Sequence, residues 1–145
     1  MRKPSSPLLL ALLLLFAGGC AASAGDTRLD PKAPKGAVGG RIKYSQGVAP
    51  AMRICAITGE SQRCIDIPAG RTLYRIAELP DGEYQVVARL QSTDTPVAGH
   101  VQEVQCIRAP CPPRLATLSV LDGKDITSAD INGFYAERSD FPAVE

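Results

Sequence analysis

Short runs in which apolar and polar positions alternate dominate the chain from Gly36 onward. In Glu83–Leu90, every second residue from Tyr84 to Leu90 is apolar, and the intervening positions are polar except for Val87. Turn signals rich in Gly, Pro and Asp separate the runs, and no stretch repeats apolar residues at helical spacing. The predicted strands are Gly40–Tyr44, Met52–Ile57, Arg63–Ile67, Thr72–Glu78, Glu83–Leu90, His100–Ile107, Leu115–Leu121 and Ser128–Tyr135.

The alternation implies that each predicted sheet has one apolar face. That face requires a second layer of structure to cover it. Seven or eight such strands within about 100 residues are typical of a two-sheet architecture. We therefore predict an all-β fold for residues 36–145, a seven- to eight-stranded antiparallel β-sandwich. The run His100–Ile107 alternates poorly, which predicts a bulge or an edge position for it.

The segment from Met52 to Ile67 predicts a hairpin with Gly59 and Glu60 at its tip. Residues whose numbers sum to 119 then face each other, so Cys55 lies opposite Cys64. The same register places Met52 opposite Ile67 and, likewise on the core side, two isoleucines opposite each other. Cys55 and Cys64 would occupy a pair without backbone hydrogen bonds, where the Cβ atoms approach closely enough for a cross-strand disulfide.

Cys106 and Cys111 are then left to pair with each other, across the short loop that precedes Pro112 and Pro113. Four cysteines allow three connectivities, and short loops favour 55–64 with 106–111. A zinc site is the alternative use of these cysteines. Their spacing does not fit it, because neither pair is separated by two residues and His100 is the single histidine of the chain.

The N-terminus has the organisation of an export signal. Arg2 and Lys3 precede the apolar run Leu8–Phe16, and small residues follow up to Cys20. The sequence Ala17–Cys20 resembles a bacterial lipobox, whose cysteine receives lipid chains (palmitate among them) and becomes the new N-terminus. The resemblance implies a signal peptide over 1–19, a lipidated N-terminus with a flexible tether over 20–35, and a folded domain over 36–145.

An alternative processing site follows Ala24, and cleavage there would release a soluble secreted or periplasmic protein. Either cleavage leaves four cysteines in an oxidising compartment, where they are expected to pair. The apolar run is shorter than the roughly 20 residues that a membrane span needs. Removal of 1–19 takes away Arg2 and Lys3 and changes the formal net charge from +1 to −1. This near-neutral charge argues against nucleic-acid binding.

Several segments of the body resemble the carboxypeptidase regulatory-like domain, a prealbumin-like (transthyretin-like) fold that is also similar to Ig-like sandwiches. They are Gly39–Tyr44, Pro50–Ala56, Tyr74–Ile76, Leu79–Ala88 and Asp130–Tyr135. The most specific of them is the Leu-Pro-Asp-Gly-Glu-Tyr-Gln-Val step from Leu79, in which a turn starts a strand with alternate core residues. The resemblance covers about Gly36 to Tyr135. It implies a non-catalytic module for folding, adhesion or ligand contact.

The sequence offers little catalytic chemistry. A lone His100 at a strand entry does not make a triad or a metallopeptidase site. Asp122, Asp125 and Asp130 lack the dense spacing of a calcium loop. We therefore expect neither an enzyme, a bound metal nor a cofactor.

We predict a lipoprotein of the bacterial cell envelope that is held on the membrane by its lipid anchor. Ala21 after the lipidated cysteine resembles the outer-membrane sorting pattern of Gram-negative lipoproteins. The first functional hypothesis is a binding or structural module that contacts an envelope protein or glycan ligand. The alternative is a secreted or anchored inhibitor, or an accessory subunit of an envelope enzyme, that presents the loop from Cys106 to Pro113.

Overall fold

The structure is a computed structural model, and it describes residues 33–59, 61–102, 112–134, 138 and 140–145. These residues contain β-structure and no helix, which confirms the all-β prediction. Consequently, no apolar helix capable of spanning a membrane is found among them. The strands are β1 Gly36–Arg41, β2 Met52–Thr58, β3 Ser61–Ile67, β4 Leu73–Leu79, β5 Gly82–Leu90, β6 Pro96–Gly99, β7 Val101–Gln102, β8 Arg114–Leu115, β9 Leu118–Val120, β10 Asp125–Ile126 and β11 Gly133–Phe134.

The strands form two main sheets. The smaller sheet has the order β10-β1-β4, and the larger sheet has the order β11-β6-β5-β2-β3. Strand β9 also pairs with the start of β5, and β7 pairs with β8 as a separate two-stranded sheet. Every one of these pairings is antiparallel except that of β1 with β10. The antiparallel prediction therefore describes the sheets apart from this short parallel edge.

The two main sheets share one hydrophobic core. Val38 and Ile76 contribute to it from the smaller sheet, and Ile54 and Val86 from the larger one. All four side chains are fully buried. The apolar face that the alternation predicted for each strand is thus covered by the opposite sheet, as the hydrophobic effect requires.

The β2–β3 hairpin has the predicted register. Met52 pairs with Ile67, and Cys55 pairs with Cys64. The Cα atoms of the two cysteines are 4.1 Å apart, and the predicted Cys55–Cys64 disulfide is present. Apolar matching on one face and cysteine matching on the other select the same register, because a one-residue slip would destroy both.

The opposite face of the larger sheet carries a second, smaller apolar cluster. Cys55 and Val87 form its floor, and Val101, Phe141 and Val144 cover them. Val87 was the exception to the alternation of its strand. It is fully buried because the C-terminal segment and β7 pack over this face.

Some strand limits differ from the prediction. Strand β1 begins at Gly36, four residues before the predicted start, because its small residues give no alternation signal although they pair with β4. The predicted run from His100 holds β7 alone, and residues 103–107 lie outside the described residues. The last predicted run, from Ser128, contains β11, and its final residue is also outside the described part.

Candidate ligand-binding site

The outward face of β1 carries small residues where it crosses the middle of the smaller sheet. Strand alternation places Ala37, Gly39 and Arg41 on the face opposite to the core residue Val38. Gly39 has no space for a side chain, since a Cβ atom there would lie 2.7 Å from the carbonyl oxygen of Tyr74. The small residues leave a depression along the central strand of the sheet.

An ion pair crosses this depression. Arg75 lies on β4 and Asp125 on β10, the two strands that flank β1. The Arg75 Nη2 atom is nevertheless 2.7 Å from Asp125 Oδ2. The arginine therefore spans the width of β1, in register with Gly39. This arrangement explains why Ala37 is buried on a face that has no second sheet over it.

The depression continues into an open cavity of about 570 Å³, which we call the trough. Small residues of β1 form its floor, and the β10 segment and the start of β4 form its sides. The end of β3, around Ile65–Pro68, closes one end of the trough. Its volume falls in the range of about 300–1,000 Å³ that is usual for small-molecule sites.

The three carboxylates that line the trough are all paired with cations. Besides Asp125, these are Asp66 and Asp130. Asp66 accepts two hydrogen bonds from the Arg53 guanidinium, at 2.9 and 3.1 Å. These bonds lower the pKa of Asp66 below its ordinary value. Asp130 Oδ2 lies 2.9 Å from Lys43 Nζ. Each carboxylate charge is therefore already compensated.

Two guanidinium groups that line the same trough have no such partner. Within the described part of the chain, the side chains of Arg41 and Arg71 make no ion pair or hydrogen bond. Both residues are exposed. The lining itself holds three arginines and three carboxylates, and an excess of two positive charges arises because Lys43 and Arg53 pair with two of the carboxylates from outside the lining.

The cysteines named by the sequence lie elsewhere. The Cys55–Cys64 disulfide is on the outward face of the larger sheet, and neither cysteine lines the trough. Cys20, Cys106 and Cys111 lie outside the described residues.

The remaining candidates have structural contacts. The His100 ring lies with Nδ1 2.8 Å from the carbonyl oxygen of Asp130, and this contact joins the β6–β7 junction to the last part of the domain. The backbone N–H of Asp122 donates a hydrogen bond to Asp81 Oδ2 at 3.0 Å, in a turn. In the described part of the chain, no cluster of three or more His, Cys, Asp or Glu side chains is placed to hold a metal ion.

The trough cannot be recognised from the sequence alone. Its lining residues are far apart in the chain, and each looks like an ordinary surface or turn residue by itself. Two series of outward-facing residues could have indicated it. One is the small residues of β1, and the other is Arg71, Leu73 and Arg75 in and just before β4. That signal requires the β1–β4 register, in which Arg41 faces Leu73.

Comparisons of this chain with models of protein families, with curated proteins and with solved structures find no match. The function of the trough is therefore argued from its own geometry.

Proposed function

We propose that this protein is a non-catalytic binding module of the bacterial cell envelope, with the trough as its ligand-contact surface. The observation that carries the proposal is the pair of guanidinium groups of Arg41 and Arg71, which make no ion pair or hydrogen bond with any described residue and line a cavity of about 570 Å³. Here the carboxylates of the trough are already held by other cations.

The proposal includes the fold family suggested by the sequence. Two sheets that share one core, with the Leu79 turn leading into β5, support a β-sandwich of the carboxypeptidase regulatory-like, prealbumin-like type. In such a sandwich the trough would lie on the outward face of the smaller sheet. Loops and outward faces can carry binding residues without disturbing the core.

The proposal also includes the location in the cell. A signal peptide over 1–19 and lipidation of Cys20 would anchor the domain to the envelope, with the outer membrane as the expected site. The buried Cys55–Cys64 disulfide supports an oxidising compartment, because such bonds form and persist outside the cytosol. A tether over 20–35 would let the trough face a ligand near the membrane surface.

The accessory-subunit alternative places the contact on the loop that ends at Pro113. This residue lines a separate cavity with Leu115 and Phe141, on the side of the larger sheet. The two hypotheses thus predict contacts at cavities that share no lining residue, which makes them separable by substitution.

Blocking the trough tests the proposal. Thr127 is exposed and lines the trough, so Thr127→Trp would fill it. The neighbouring Ser128 is also exposed but is not part of the lining, so Ser128→Trp is the matched control. The immobilised proteins are incubated with detergent extracts of bacterial envelopes, and retained molecules are identified by mass spectrometry. We expect one retained component to be lost with Thr127→Trp and kept with Ser128→Trp.

Two results would contradict this proposal. One is a set of retained molecules that is the same for wild type and for Thr127→Trp. The other is a component that is lost when Cys106 and Cys111 are replaced by serine but kept by Thr127→Trp. That second result would establish the accessory-subunit alternative instead.

A further inference from the structure

We infer that the ligand of the trough is a phosphate monoester attached to an apolar chain. This inference rests on the proposed function and specifies its ligand class. It is drawn from three features of the trough: its two uncompensated positive charges, the planar donor groups that carry them, and an exposed leucine between them.

The charge of the site fits a doubly charged anion. Arg41 and Arg71 supply two positive charges, and the nearby carboxylates are neutralised by Arg53, Lys43 and Arg75. A phosphate monoester carries about −1.5 to −2 charges at neutral pH, because its second pKa is about 6. One such group compensates both arginines. A sulfate ester, with a single charge, would compensate half of the excess.

The donor type also favours phosphate. A guanidinium presents its N–H groups in a planar fork that binds phosphate oxygens in pairs. Arg41 is placed by its pairing opposite Leu73, and Arg71 precedes Leu73 by two residues. The backbone N–H of Ile42 donates to the carbonyl oxygen of Thr72 at 2.9 Å, which fixes this end of the two strands side by side. The two guanidiniums therefore extend from adjacent strand ends that have a fixed spacing.

Leu73 provides the apolar part of the site. Its side chain is 64% exposed, although β4 otherwise buries its large apolar residues. It lies on the outward face between Arg71 and Arg75, and across from Arg41. Its neighbours on this face are Arg71 and Arg75 along the chain and Arg41 across the strand pair, and the isoleucines of the lining belong to other strands. An alkyl chain lying on Leu73 would remove its surface from water while the attached phosphate meets the arginines.

Binding of hexyl phosphate tests the inference. The processed full-length protein in a neutral detergent is titrated by calorimetry at low ionic strength with hexyl phosphate, inorganic phosphate and hexyl sulfate. We expect hexyl phosphate to bind about tenfold more tightly than either of the others, because each lacks one of the two recognised parts. We also expect its affinity to fall as the pH is lowered through about 6, where the ester becomes a monoanion.

Substitutions assign the binding to the trough. Arg41→Gln and Arg71→Gln should each lower the affinity for hexyl phosphate about tenfold, as expected for the loss of a charge-assisted contact. Leu73→Ser should reduce it to that of inorganic phosphate while leaving inorganic phosphate itself unchanged. Arg63→Gln is the matched control. Arg63 is exposed and makes no ion pair within the described residues, but it does not line the trough.

The inference would be overturned by three outcomes: equal affinity for hexyl phosphate and hexyl sulfate, a loss with Arg63→Gln as large as that with Arg41→Gln, or no binding of hexyl phosphate. The Thr127→Trp experiment distinguishes failure of this inference from failure of the proposed function. If a Thr127→Trp-sensitive component without phosphate is found in envelope extracts, the ligand class is wrong and the binding role stands. If neither experiment gives binding, both proposals fail.

Discussion

Asp130 connects three parts of the molecule through one residue. Its Oδ1 atom accepts a hydrogen bond from the backbone N–H of Arg41 at 2.8 Å, and Oδ2 lies 2.9 Å from Lys43 Nζ. Its carbonyl oxygen is in contact with the ring of His100. The hydrogen bond from the Arg41 backbone, followed by that from Lys43, lowers the pKa of this carboxyl below its ordinary value. The ionised form is therefore part of the folded structure at the edge of the trough.

The first prediction concerns the pH dependence of this contact. A carboxyl whose pKa is lower in the folded state stabilises that state above its ordinary pKa of about 3.9, and the contribution is lost as the pH falls through the lowered value. Asp130→Asn should reduce the free energy of unfolding by about 1 kcal/mol at pH 7. The difference from wild type should become smaller as the pH is lowered from 7 to 2.5. Urea denaturation at both pH values measures it.

Asp94→Asn is the control for this experiment. Asp94 is highly exposed and lies 4.0 Å from Arg89, so its removal should change stability little at either pH. An Asp130→Asn effect of the same size at pH 7 and pH 2.5 would show that the stabilisation does not depend on the ionised form of Asp130.

Among the secondary-structure elements, the β2–β3 hairpin packs its two faces into two different apolar clusters. Ile54 on one face enters the shared core, and Cys55 on the other enters the second cluster. The C-terminal segment is held across this second face by main-chain contacts. The Arg53 guanidinium donates to the carbonyl oxygen of Glu145 at 3.1 Å, and Gln62 Oε1 accepts from the Glu145 N–H at 3.3 Å. The fully buried Cys55 is thus covered by Phe141 and its neighbours.

The second prediction is that this cover controls reduction of the disulfide. Phe141→Ala should increase the rate at which dithiothreitol reduces Cys55–Cys64 by at least about tenfold under native conditions, because it facilitates local opening of the cover. The rate is measured by alkylation and mass spectrometry. Ala143→Ser, at an exposed position of the same segment, should leave it unchanged.

A global loss of stability could also accelerate reduction, so a second control is needed. Ile131→Ala removes a fully buried side chain from the shared core and costs about as much stability. If Ile131→Ala accelerates reduction as much as Phe141→Ala, the C-terminal segment does not act as a specific cover.

For the whole molecule, the two outward faces have different roles. One face carries the trough, and the other is closed by the C-terminal segment and by the β7–β8 sheet. Strand β1, which carries the trough, is also the first strand after the predicted tether. The proposed ligand surface would therefore lie on the strand that follows directly from the anchor.

The third prediction concerns the processed protein. Intact mass spectrometry of material from a bacterial host should give a chain that begins at Cys20 with added lipid mass. After reduction the mass should rise by about 4 Da, as two disulfides accept two hydrogens each. Cys20→Ala should abolish the lipid mass. A mass that fits an unmodified chain starting at Gly25 would establish the alternative cleavage, and a gain of about 2 Da would exclude the Cys106–Cys111 bond.

The β2–β3 hairpin could be predicted in full because two independent patterns, apolar residues and cysteines, agree on one register. The start of β1 could not, because Gly36, Ala37 and Gly39 give no alternation. A Cβ atom at Gly36 would collide with the Lys124 carbonyl oxygen and one at Gly39 with that of Tyr74, and these contacts exist only in the folded chain. The cover over Cys55 was missed for a related reason. Phe141 and Val144 belong to an irregular segment, and a sequence period reveals faces of strands and helices alone.

The floor and the rim of the trough are subject to different constraints on mutation. A larger residue at Gly39 would collide with the main chain of β4, and Ala37 is buried. The side chains of Arg41, Arg71 and Leu73, which lie in or next to the same two strands, are exposed. In relatives of this domain, substitutions at the rim should therefore change the preferred ligand, while the small residues of the floor are kept. An alignment of relatives should show a strand of small residues flanked by variable positions.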